Sequence, residues 1–204
     1  MKSNLKFILL APFFLAILCE SDDDDCGLEQ REAYIVNVEN IADTYAIDEP
    51  IFINSQISSE LVNFCTPGNV PEIIVDNTIF IDGVFVLKLN NTLANLNAEV
   101  SQDFTVAYNL GEAYNDSFCL NAIRCLPELA DDNLTYNYRL GIAISSPGDY
   151  CIVNTFDSNF NLEQDNNAQI FEEYNTLGDV IKFSDCETTY TRIGTDGFYF
   201  FTVE

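Results

Sequence analysis

Carboxylates are the abundant reactive groups of this chain: Asp and Glu number 33 against eight Lys and Arg in 204 residues, and histidine is absent. That inventory excludes Ser-His-Asp and Cys-His catalysis, His-ligated zinc and any imidazole proton relay near neutral pH. A net charge of -25 excludes nucleic acid as a partner, because phosphate binding needs a cationic patch that so few basic residues do not supply. Carboxylate pairs do run glycosidases and aspartic proteases. Such a pair is recognised by geometry, and the sequence has no Asp-Thr-Gly, Gly-x-Ser-x-Gly or phosphate-loop motif to mark one. The chain reads as a binding or structural module rather than an enzyme, with a carboxylate-dependent glycoside hydrolase as the alternative.

Two further constellations could bind rather than react. Asp157, Asn159, Asn161, Glu163 and Asp165 alternate as in the first nine places of an EF-hand loop, but Leu162 stands at the turn glycine and Ala168 at the closing bidentate Glu. This reads as a polar loop, and neither metal nor cofactor is expected. Aromatic surface for a ligand must come from Tyr or Phe, since Trp is absent. Tyr136 and Tyr138 lie two apart on a strand and so share a face, a candidate glycan platform set against the plainer reading of cross-strand packing.

The N-terminus carries Lys2 and Lys6, an apolar run at 7–18 interrupted by Pro12, then Cys19-Glu20-Ser21 and Asp22-Asp23-Asp24-Asp25. This is the layout of a secretory signal peptide, and the run is shorter than the roughly 20 apolar residues a spanning helix needs. Leu15-Ala16-Ile17-Leu18-Cys19 resembles a bacterial lipobox, and the acidic tract behind it is similar to that of surface-exposed lipoproteins of the Bacteroidota. Leu18 stands where that motif usually has Gly or Ala. The remainder, acidic and rich in Asn, Thr, Tyr and Phe, is similar to the β-rich lipoproteins of those bacteria. The resemblance implies that residues 1–18 are removed, that Cys19 carries the lipid, and that 19–31 form an acidic tether. It also implies an outer-membrane protein facing outward, held to the membrane by the lipid alone and offering its surface to an extracellular ligand.

Seven cysteines occur, and lipidation of Cys19 leaves six. Six can pair in many ways, among which the sequence does not choose. Chain proximity favours Cys119 with Cys125, the strand-like runs around Cys151 and Cys186 suggest a second bridge, and Cys26 with Cys65 remains. A redox or zinc role is disfavoured, for there is no Cys-x-x-Cys and no cluster of bases to lower a thiol pKa.

The elements that must position these groups are strands. Apolar or alternating runs at 33–38, 50–57, 84–89, 104–108, 134–144, 150–154, 180–183 and 198–203 read as strands, separated by Gly, Pro, Asn and Asp. The run 78–81, Asp82-Gly83 and 84–89 gives a hairpin signal, and 198–203 is apolar on both faces, as in a strand covered on both sides. Helix is suggested only at 91–100 and 168–174. With about nine strands and little helix, the expected fold is all-β: a mostly antiparallel, immunoglobulin-like β-sandwich over 32–204, with a subdivision near 110–132 as the alternative boundary.

Overall fold

Residues 28–30, 35–63, 71–91, 96–115, 122–154, 159–160, 168–174, 180–184, 189–193 and 198–204 are described by the computed structural model of the chain. Among them the backbone is mostly strand. In order come β1 (Leu28–Gln30), β2 (Ile35–Val38), β3 (Thr44–Tyr45), β4 (Pro50–Ser58), β5 (Glu60–Asn63), β6 (Pro71–Ile73), β7 (Asp82–Leu89), β8 (Ala98–Val100) and β9 (Phe104–Leu110). There follow β10 (Glu112–Asn115), β11 (Ile123–Leu126), β12 (Glu128–Leu129), β13 (Thr135–Ile144), β14 (Gly148–Asn154), β15 (Asn159–Phe160), β16 (Val180–Ser184), β17 (Thr189–Ile193) and β18 (Phe198–Val203). One helix, α1 (Ala168–Tyr174), precedes β16.

Two sheets carry the architecture. In the first, β13 pairs with β4 along nearly its whole length and with β9 and β12 on its other side, giving the order β9-β13-β4-β2-β15. In the second the order is β17-β16-β8-β7-β14-β18-β3, and β11 then β10 extend from the part of β7 that β8 leaves free. Ladders are antiparallel except for the short pairings β2–β15, β8–β16 and β3–β18. A small sheet, β1-β5-β6, stands beside them.

Alternation explains how the sheets pack. Along β13 the buried residues Tyr136, Tyr138, Leu140, Ile142 and Ile144 alternate with Thr135, Asn137, Arg139 and Ala143, so one face is apolar and the other wet. The apolar face, with Val36, Val38, Ile51 and Ile53, meets Val84, Val86, Tyr150, Ile152, Tyr199 and Phe201 of the second sheet. Phe201 sits among three rings, with centroids 5.5 Å from Tyr45, 6.0 Å from Tyr150 and 5.8 Å from Tyr199. The second sheet is apolar on both faces. Its remaining side chains, including Phe85, Leu87, Val153, Phe198 and Phe200, form another cluster with Ile170 and Phe171 of α1. The double-sided strand expected at 198–203 is therefore β18, pressed between the first sheet and the helix.

Two local expectations are corrected. Residues 77–80 form a 3₁₀ turn, in which the Asp76 carboxylate accepts from the Thr78 amide at 3.0 Å. Asp82-Gly83 is not a hairpin turn but the start of β7, where Gly83 pairs with Arg124. Asp82 is fully buried, and its carboxylate accepts from the Gly83 amide and the Tyr138 hydroxyl, both at 2.7 Å. The helix suggested at 91–100 is likewise not formed at its end, because Ala98–Val100 pairs with β7 as β8. Between 110 and 132 the short strands tie into both sheets, β11 to β7 and β12 to β13.

Candidate functional site

The tyrosine platform does not form. Tyr138 lies in the core between the sheets with its hydroxyl on Asp82, and Tyr136 is buried against Phe80 and donates to the Ile74 carbonyl at 2.9 Å. Both share a face, as the spacing of two requires, but that face is the inner one. Cys125 and Cys151 are buried free thiols, so the bridges expected at these two residues are not present. Cys125 lies opposite Asp82 and Cys151 opposite Leu87 on the same strand. An odd separation sends them to opposite faces, Cys125 into the core and Cys151 toward α1. Burial pushes both thiols above their ordinary range, and the nearby Asp82 charge adds to this at Cys125. Cys19, Cys26, Cys65, Cys119, Cys186, the acidic tract and the side chains of 157–165 lie outside the described residues.

One nucleophile-and-base arrangement is assembled by the fold without any local motif. Lys88 Nζ donates to Ser146 Oγ at 3.1 Å, with the Tyr150 hydroxyl 2.7 Å away and Asp103 Oδ2 at 3.0 Å. A Ser–Lys pair can attack an acyl carbon when the oxygen has a lone pair open to substrate. Here the Ser146 hydroxyl points its hydrogen at Asp103 while Lys88 and Tyr150 occupy its other sides. The single Tyr150 hydroxyl hydrogen is shared between Ser146 Oγ and the Ser146 carbonyl oxygen 3.0 Å away, which pins the turn before β14. The arrangement is a corner brace.

The open site lies on the side of the molecule where the two sheets part. β9 is the outer strand of the first sheet and β10 of the second, and the chain passes between them at Gly111. Gly111 has φ +70, and a Cβ there would stand 2.6 Å from the Leu126 carbonyl oxygen, so the crossing depends on glycine. From this apex the strands separate toward Phe104 and Asn115. Between them opens a cleft of about 450 Å³ with Ile123 at its floor, Phe104, Thr105 and Val106 on one wall and Tyr114 and Asn115 on the other. That volume is in the range of ligand sites. Tyr114 is 44% exposed, and Tyr108, farther along β9, is 51% exposed.

The cleft lining is apolar, amide and hydroxyl, without a charged side chain. A smaller hollow of about 360 Å³ beyond Gly111 carries two carboxylates, Glu112 and Glu128, on a lining that includes Leu126, Pro127 and Leu129. Both are exposed to solvent. On the outer face of the first sheet Arg139 donates to both oxygens of Glu39, at 2.7 and 2.6 Å, and lies 4.1 Å from the Phe52 ring centre. That contact holds the Glu39 carboxyl below its ordinary range. The arginine is thereby committed within the chain rather than presented to an anion. No group of three or more potential metal ligands occurs among the described residues. No family model, no curated protein and no solved structure matches the chain.

Sequence reasoning located β9 but not the cleft. The one local sign was Gly111 between β9 and the short strand β10, and which sheets those strands join is decided by partners far along the chain.

Proposed function

We propose that the protein is an exported, lipid-anchored cell-surface module whose immunoglobulin-like sandwich binds an extracellular ligand in the cleft between β9 and β10. The observation that carries this reading is the cleft itself, an uncharged and aromatic-walled opening on a molecule of net charge -25. Strand order supports the immunoglobulin-like assignment. Taking β2, β4, β7, β8, β9, β13, β14 and β18 in sequence as A, B, C, C′, D, E, F and G, the sheets read A-B-E-D and C′-C-F-G, with β3 as a second part of A beside G. Tyr150, near the start of F and bonded back to Ser146, resembles the tyrosine corner of that fold. There are two departures. Cys151 faces away from the core, where Ile152 takes the inward position, and no tryptophan stands on C.

The anchor rests on Cys19 and the residues around it. Among the described residues no helix is long and apolar enough to cross a membrane. Labelling with a palmitate analogue is expected to mark wild type and not Cys19→Ala. For the binding site, the whole protein is screened on glycan and peptide arrays, and any ligand found is expected to weaken at least tenfold with Tyr114→Ala. Ligands indifferent to that change would place the site elsewhere. Hydrolysis of a polysaccharide panel lost in Glu112→Gln or Glu128→Gln would overturn the reading in favour of an enzyme.

A further inference from the structure

Outer strands are templates for pairing, and proteins blunt them with short length, charge or proline. Most of the outer strands here are blunted in this way. β3, β12 and β15 have two residues each, β17 includes Arg192, and β10 begins with Glu112. β9 is the exception: seven residues, Phe-Thr-Val-Ala-Tyr-Asn-Leu, with neither charge nor proline. Among the described residues its ladder partner is β13 alone, so its second edge faces the side of the molecule where the cleft opens. A register shift against β13 between Arg139 and Leu140 marks the far end near Asn109 and leaves Phe104 to Tyr108 in regular pairing.

Resting on the binding-module reading, we propose that the ligand is an extended polypeptide segment that adds as a further strand to the edge of β9 that has no ladder partner among the described residues. Main-chain hydrogen bonds to β9 supply the affinity, and alternate side chains supply selectivity. Phe104 and Val106 pack inward against the core, so ligand side chains on that side enter the cleft toward Ile123 and are apolar. Those on the side of Thr105 and Ala107 face water. Charge sets the ends: exposed Asp103 precedes β9 and exposed Glu112 follows Gly111. The segment therefore has about seven uncharged residues with a lysine or arginine near each end. The same charge disfavours a second copy of this chain, because each would bring -25 to the edge.

The test pans a random dodecapeptide display library against the whole protein. Selected peptides are expected to alternate apolar and polar residues between basic ends and to slow amide exchange at Phe104 to Tyr108. N-methylation of the peptide amides that face β9 should weaken binding at least a hundredfold, and Glu112→Lys at least tenfold. Selected peptides that leave β9 exchange unchanged, or bind equally well when N-methylated, would overturn strand addition, as would a failure to select any. A concentration-dependent dimer that protects β9 would overturn it in favour of self-pairing. A glycan that binds in the cleft while peptides do not would refute strand addition and leave the binding-module reading standing. Absence of any cleft ligand would remove both.

Discussion

Replacing Tyr138 by Phe deletes one hydroxyl from a buried carboxylate and leaves the ring in place. Asp82 is 0% exposed and Tyr138 1% exposed, and the bond between them is 2.7 Å long. A hydrogen bond to a charged group contributes about 1.5–3 kcal/mol, and a carboxylate deprived of a donor inside the protein adds a desolvation cost. Because the ring shape is kept, no cavity term enters, and the expected loss is about 2–3 kcal/mol. Tyr136→Phe is the internal comparison. Its hydroxyl meets a neutral backbone carbonyl at 2.9 Å, a bond worth about 0.5–1.5 kcal/mol. Urea unfolding of both variants, with equal m-values, gives the two losses directly. The effect of Tyr138→Phe should also appear as a melting point lower by about 4–12 °C. A Tyr138→Phe protein within about 0.5 kcal/mol of wild type, or a larger loss in Tyr136→Phe, would refute the view that this hydroxyl holds the buried Asp82 carboxyl in place.

Gly111→Ala should cost about 1–3 kcal/mol from the left-handed backbone alone, with more from the Cβ placed against the Leu126 carbonyl; chemical denaturation measures it, and a neutral result would mean the crossing is not built as described. Cys125 and Cys151 should resist a thiol reagent at pH 8 in the native protein and react fully in denaturant, because burial favours their neutral forms; modification of either in native protein, mapped by mass, would contradict this. Alkaline stability should fall as the pH rises from about 10. Burial raises the Tyr45, Tyr174 and Tyr199 hydroxyls above the ordinary 10, Tyr174 to about 12 with help from its bond to Asp149. A phenol with a raised folded pKa lends full stability below the unfolded value and loses it as the pH climbs through the folded one. Unfolding free energy flat between pH 9 and 12 would refute that assignment.

Much of the scaffold was legible in the sequence because it follows from local pattern. The bounds of β18 match a run that is apolar on both faces, α1 matches the pair Ile170 and Phe171, and β13 matches an alternation ten residues long. What the sequence hid depends on distant partners. Asp82-Gly83 carries the local chemistry of a tight turn, yet a tyrosine 56 residues away draws the carboxylate inward. The two-residue strands are too short to show any period. Proximity and strand-like surroundings suggested bridges at Cys125 and Cys151, whereas ladder position decides which way each thiol points. The cleft was invisible for the same reason: it exists because β9 and β10, adjacent in the chain, belong to different sheets.

The pairing of β3 with β18 brings Thr44 beside Thr202 and Tyr45 beside Val203, and the Tyr45 and Tyr199 hydroxyls meet at 2.8 Å in the interior. A ribosome releases residue 45 long before residue 203, so the sandwich spends its synthesis with an incomplete second sheet. During that interval the edge of β14 that β18 will cover, lined by Tyr150, Ile152 and Val153, is an apolar ladder in want of a partner. Long-range closure of this kind is slow, and a chain interrupted before Phe198 would keep that edge permanently open. Truncated products of this protein should accordingly be the ones that aggregate, and a chaperone acting on the incomplete chain would find its target on β14.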